Sequence, residues 1–158
     1  MSLRRVKITL LCEDSQHEAF ARRFLQGMGW ETREIRVEKS PGGAGSGEQW
    51  VRTRFPKELR AYRERTKKAA SVLLVMMDAD TFEVRSRITF LEQICREEQL
   101  DFRSEDESVA IIVPKRNIET WIHYLNGEKV NEVAAYPKMQ KPRHCQSAVK
   151  KLLNFRTK

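Results

Sequence analysis

The chain has 158 residues, of which 40% are hydrophobic, a net charge of +8 and three cysteines. That is enough chain for one domain with a real core, and no stretch approaches the run of about 18 apolar residues that crosses a bilayer. Cys12, Cys95 and Cys145 are scattered and odd in number, and the N-terminus runs straight into a strand without a signal peptide, so the expectation is a protein of the reducing cytoplasm with no membrane association. With His17, His123 and His144 the cysteines match no zinc-ligand spacing.

In chain order, residues 5–11 form a first apolar strand, followed by Cys12-Glu13-Asp14. A helix is predicted from Ser15 to about Gly27, with Phe20, Phe24 and Met28 on its inner face. In residues 32–38, Ile35 and Val37 alternate with charges, the pattern of a half-exposed or edge strand. Residues 41–47 form a Gly-rich loop. It is not a P-loop, because Glu48 stands where the lysine belongs, and it reads as a mobile connection. A second helix over about 48–68 buries Phe55, Leu59, Tyr62 and Thr66, and Pro56 limits how early it becomes regular.

The run Ser71–Met77 is apolar after its first residue, as expected of a strand buried on both faces of a parallel sheet, and Asp78-Ala-Asp80 follows it. A third helix over about 84–98 turns Val84, Ile88, Leu91 and Ile94/Cys95 inward. A fourth strand, 109–113, leads through Pro114-Lys-Arg to a short helix capped by Asn117, in which Glu119 lies in the first turn and Trp121 is core. A last helix covers about 144–155. The alternation predicts an α/β fold with a four-stranded, mainly parallel sheet flanked by helices. A single domain spans 1–158, with a core over about 5–125 and a basic helical C-terminal extension over about 126–158.

Three strands thus deliver carboxylates just past their C-terminal ends, the edge at which open α/β sheets bind ligands. If the strands are parallel, Glu13, Asp78, Asp80 and Glu119 converge there. Two aspartates one residue apart are a common Mg²⁺ grip. The competing local reading is helix capping: Glu13 or Asp14 favouring a helix dipole, Asp78 and Asp80 capping the third helix, and Ser15 with Glu18 forming a capping box in which Glu18 is a cap partner rather than a ligand. His17 reads as a surface helix residue. The positive charge is clustered, in Arg52, Arg54, Lys57, Arg60, Arg63, Arg65, Lys67 and Lys68 and again towards the end in Lys150 and Lys151. Basic patches beside an acidic site suit a polyanion, although solvated helix faces look the same in sequence.

These residues resemble the Toprim domain of primases, topoisomerases and overcoming-lysogenization-defect nucleases. They are most similar to small stand-alone Toprim proteins of the RloB kind linked to bacterial defence. The resemblance lies in Glu13-Asp-Ser-Gln-His-Glu-Ala-Phe20, Asp78-Ala-Asp80 and Val113-Pro-Lys-Arg-Asn-Ile-Glu-Thr-Trp121, and spans about residues 6–125. The first segment departs from the family pattern: Asp14 replaces a glycine and His17 replaces an acidic residue. The resemblance implies a Mg²⁺- (or Mn²⁺-) dependent nuclease. Asp78 and Asp80 would be metal ligands, Glu13 a ligand or general acid/base, Glu119 part of the acidic cluster, and Lys115 and Arg116 would neutralise the phosphate. Arg52, Arg54, Lys57, Arg60, Arg63, Lys67, Lys150 and Lys151 are the candidate contacts to DNA or RNA. The alternative is a non-catalytic nucleic-acid-binding or regulatory module, acting as a homodimer or with a partner protein from the same locus. A small-molecule phosphohydrolase ranks lower, because no nucleophile motif is visible.

Overall fold

Four runs form strands and five form helices among the residues that the computed structural model describes, 6–42 and 46–155. They are β1 (Lys7–Cys12), α1 (Ser15–Gly27), β2 (Ile35–Lys39), α2 (Gly47–Thr66), β3 (Ser71–Met76), α3 (Val84–Glu97), β4 (Val109–Ile112), α4 (Ile118–Leu125) and α5 (Gln146–Phe155). Arg5 of the first expected strand, the middle of the Gly-rich loop at 43–45, and the basic Arg156 and Lys158 lie outside the described residues.

The sheet has the order β2-β1-β3-β4 and every pairing is parallel. The central strands are apolar on both faces because each face carries its own helices. Period two sends Ile8, Leu10, Cys12, Leu74 and Met76 to one core, with Phe20 and Leu25 of α1, Ile118 and Ile122 of α4, and Ala148 and Val149 of α5. Leu11, Leu73, Val75 and Met77 face the other core, with Val51, Phe55, Leu59 and Tyr62 of α2 and Leu91 and Cys95 of α3. The segment expected as an extension therefore supplies part of the first core. Each large aliphatic buried in this way contributes about 1.5–3 kcal/mol. All three cysteines are free and buried, and no helix among the described residues is long and apolar enough to cross a membrane.

Handedness explains the distribution of helices. β1-α1-β2 steps towards one edge of the sheet, whereas β2-α2-β3 and β3-α3-β4 step towards the other. Right-handed crossovers in opposite directions must use opposite faces, and α1 lies on one face with α2 and α3 on the other. The result is a doubly wound, Rossmann-like α/β fold.

Local details differ from the sequence expectations in four places. α2 runs unbroken through Pro56, which is itself buried. A proline in a helix interior costs about 3 kcal/mol, less than the four buried side chains of the α2 stripe return. Thr66 is exposed rather than inward. Met28 is the C-cap of α1 and is 40% exposed, and Leu25 takes its place in the core. Trp121 is half-buried, packed edge-on against Phe20.

Candidate metal centre

β1 and β3 are neighbours, but the chain leaves them for opposite edges and opposite faces of the sheet. Between their C-terminal ends lies the crevice that such a switch point leaves. The loop after β1 brings Glu13 and Asp14 to it, the loop after β3 brings Asp78 and Asp80, and the first turn of α4 brings Glu119. All five line one cavity of about 380 Å³, together with Ser40, Gly42, Gly47, Asn117, Tyr136 and Lys138. The expected convergence of acidic residues is therefore present in the fold.

Each carboxylate is held by the backbone around it. Glu13 Oε2 accepts a hydrogen bond from the Asp78 amide, tying the β1 and β3 loops together. Gly47 begins α2 directly against Glu13, where an added Cβ would stand 2.9 Å from the Glu13 Cβ. Asp14 caps α1, its Oδ1 accepting from the amides of Gln16 and His17 at 3.0 Å. Asp78 Oδ1 accepts from the Ile118 amide at 2.8 Å, so the carboxylate also anchors the positive end of α4, and Asn117 Oδ1 caps the same helix through Thr120. Asp80 (φ 55°) and Arg116 (φ 63°) both occupy the left-handed region, joined by a 2.8 Å hydrogen bond from the Asp80 amide to the Arg116 carbonyl. Such strain persists where surrounding structure over-determines it, as at binding sites.

Several expectations need correction. The capping box does not form: Asp14, not Ser15, is the cap, and Glu18 pairs with Arg22 and Lys39 at 2.9 Å. Asp78 and Asp80 do not cap α3, whose N-cap is Glu83. His17 is not a surface residue. It is 0% exposed, and its Nε2 lies 2.9 Å from Asp78 Oδ1. Lys115 turns away to pair with Glu132 at 3.2 Å, whereas Arg116 stays close enough for its charge to act on Asp80.

The basic residues do not gather around the cavity. α2 starts beside Glu13 and runs to the opposite edge of the sheet, so Arg63 lies roughly 24 Å further along its axis than Gly47. Arg52 pairs with Glu48, Arg54 with Glu38 and Glu58, Arg60 with Glu98, Arg63 with Glu107 and Lys67 with Glu64. Lys57, Lys150 and Lys151 are exposed, but none of them lines the cavity. The cation that does line it is Lys138, 3.5 Å from Asp14.

Arg87 of α3 also escaped the sequence reading. Its guanidinium is 5% exposed and touches Glu48 at 3.0 Å, Asp80 Oδ2 at 3.0 Å and the Asp78 carbonyl at 3.2 Å, with Phe82 stacked on it. A signal was available: Arg87 lies on the same 3.6-period stripe as Val84 and Leu91, where a charge must be buried and paired. Lys138 and Tyr136 had no such signal, because they reach the cavity from a segment without regular structure.

The electrostatics follow from burial among like charges. Burial and the Asp78 charge raise the Glu13 carboxyl to about 7. Burial opposes charging of His17, but its hydrogen bond to Asp78 and the charges of Asp78, Asp14 and Glu13 outweigh that and raise it to about 9. The Glu13 amide points at Nδ1 from 3.4 Å, a contact that a doubly protonated ring would lose. The contact is long and weak, so the surrounding carboxylates decide for the charged ring. Burial and then Asp78 also raise Glu119 and Asp80, while Arg87 and Arg116 oppose the rise at Asp80. Cys12 is no nucleophile, because burial pushes its thiol up to about 12.

Both large shifts remove stability as pH rises. The folded state keeps the Glu13 proton that an unfolded chain releases above 4.5, so stability falls as pH rises from 4.5 through about 7. The His17 contribution is complete below 6.5 and is lost as pH rises through about 9. Asp14 and Glu18 are lowered despite burial, by His17 and by Arg22 respectively, so what they contribute is lost only as pH falls below their ordinary values of 3.8 and 4.5. The melting temperature of chelator-treated protein is therefore expected to fall steadily between about pH 5 and 9. A thermal-melt series that rises across this range would contradict these protonation states.

No family model matches this chain, and neither a curated protein nor a solved structure matches it significantly.

Proposed function

We propose that this chain is a divalent-metal-dependent nuclease of Toprim-like type, hydrolysing phosphodiester bonds of DNA or RNA in the cytoplasm, with bacterial defence as its setting. The observation that carries the reading is the meeting of carboxylates from three separate loops in one cavity, where Glu119 Oε1 is buried with no hydrogen-bond partner. An unpaired buried acceptor among like charges is costly unless a proton or a cation joins it, and the residues present fit a divalent ion such as Mg²⁺ or Mn²⁺. Glu13, Asp78 and Asp80 would hold it, with Glu119 completing the acidic wall. A bound ion supplies Lewis-acid polarisation of the phosphate and an activated water.

The chain's own groups do the rest. Where Glu13 does not ligate the ion it is the alternative group for proton transfer, its carboxyl raised to about 7 by burial and the Asp78 charge. Arg116, beside Asp80, is the nearest of the expected phosphate-neutralising cations, and Lys138 adds a second at the rim. The reading needs none of the paired arginines at the far end of α2.

One observation favours the second reading, a non-catalytic nucleic-acid-binding or regulatory module, as a homodimer or with a partner protein. Asp78 already faces His17, and Asp80 already faces Arg87, so each has an internal cation. The Asp78→Asn/Asp80→Asn protein separates the two, because asparagine keeps the Oδ1 acceptor and removes the charge. With labelled single- and double-stranded DNA and RNA and added Mg²⁺ or Mn²⁺, the wild type is expected to cleave. The variant should be slower by about 100-fold or more, which corresponds to about 2.7 kcal/mol of transition-state stabilisation. Tight nucleic-acid binding by the wild type, without metal uptake or cleavage, would leave the binding module.

A further inference from the structure

We propose that this pocket is built for a first-row transition-metal dication rather than Mg²⁺, with His17 Nε2 as a ligand beside Glu13 and Asp78. The inference rests on the metal centre proposed under the function and not on the reaction assigned to it.

The donor atoms of Glu13, His17 and Asp78 lie within 4.8 Å of one another, close to the span of two opposite donors with bonds of about 2.1 Å to one ion. His17 Nε2 and Asp78 Oδ1 are 2.9 Å apart, near the roughly 3.0 Å that separates adjacent donors around an ion with such bonds. A proton occupies that place in a hydrogen bond, and a metal ion can take it when Nε2 releases the proton to solvent. Independently of this trio, Glu119 is 2% exposed, lines the same cavity and leaves Oε1 without a partner. The same cavity thus holds a buried acceptor that the trio itself does not satisfy.

The nitrogen donor decides the class of ion. Mg²⁺ binds oxygen, holds its waters and is served by one or two carboxylates. Imidazole suits the transition dications, and mixed imidazole–carboxylate sites bind them with affinities rising from Mn²⁺ along the first row. A fully buried histidine whose Nε2 lies 2.9 Å from Asp78 Oδ1 and within 4.8 Å of a Glu13 oxygen favours those ions. A mere counter-charge would need no metal-binding atom at that point.

The test uses the full chain stripped with chelator and loaded with Mn²⁺. Expected are a single tight Mn²⁺ site, displaced by Mg²⁺ only at about 100-fold excess or more, and a pulsed-EPR nitrogen coupling from a directly bound imidazole. That coupling should vanish in His17→Gln and persist in His123→Gln and His144→Gln. Should His17→Gln fail to fold, the wild type and the other two variants still decide, because loss of coupling in either of them assigns the nitrogen elsewhere and overturns the proposal. Mn²⁺ bound without nitrogen coupling, or displaced by equimolar Mg²⁺, overturns the role of His17 and leaves an all-oxygen metal centre standing. Uptake of neither ion overturns this inference and the metal centre together.

Discussion

Asp78→Ala is expected to destabilise the protein by about 3–5 kcal/mol, whereas Asp78→Asn should cost only about 1 kcal/mol. The difference comes from one oxygen. Asp78 Oδ1 accepts from both His17 Nε2 and the Ile118 amide, inside the protein. Alanine leaves both the buried His17 Nε2–H and the first amide of α4 without an acceptor. Asparagine keeps an oxygen for both and removes only the charge. For a chain of this length the alanine variant should melt roughly 10 °C below wild type. Denaturant titration of the two variants side by side is the check, and equal losses would mean that charge rather than hydrogen bonding holds this corner. The contrast also validates the Asn variants as probes of chemistry, because a site lost through unfolding says nothing about metal.

The second large effect is expected at Arg87. Arg87→Ala removes the nearer of the two cations on Glu48, which is itself buried, and releases Asp80 and the Asp78 carbonyl. Breaking a buried pair by deleting one partner costs about 3–5 kcal/mol, because the other charge stays buried. Replacing both members with apolar residues avoids that penalty, so Arg87→Met/Glu48→Leu should recover most of the stability. It should not recover function, because Asp80 sits at φ 55° with a half-exposed side chain that Arg87 tethers from α3. Recovered melting temperature with lost metal affinity is the expected pairing. Recovery of both would show that Arg87 serves the core alone and does not position Asp80.

Much of this arrangement is legible in the order of residues along the chain. Val72–Met77 is apolar at every position, and only a strand covered on both faces makes that pattern stable. Carboxylates cannot continue such a strand, so Asp78 and Asp80 had to lie beyond it. The same reasoning applied to Glu13 and Glu119 places four acids at one edge once the strands are parallel. Asn117 is an N-cap in both sequence and structure for the same local reason: its short side chain reaches an amide three residues on.

Other features depend on contacts that sequence patterns do not encode. His17 looks like any polar residue in the first turn of an amphipathic helix. It is buried because β3, a neighbour of β1 only through the order β2-β1-β3-β4, brings Asp78 to its ring. The arginines of α2 look like a patch for a polyanion. They are spent instead on Glu38, Glu98 and Glu107, acids from β2, the end of α3 and the approach to β4. Pro56 looks like a boundary, yet the packing of Phe55 and Leu59 against the sheet outweighs its local cost. Sequence by itself determined which segments are strands and helices and which acids stand at the sheet's edge, because these follow from periodicity and short-range chemistry. Tertiary structure alone decided which charges meet across that edge, because ion pairing acts between residues far apart in the chain and depends on strand order.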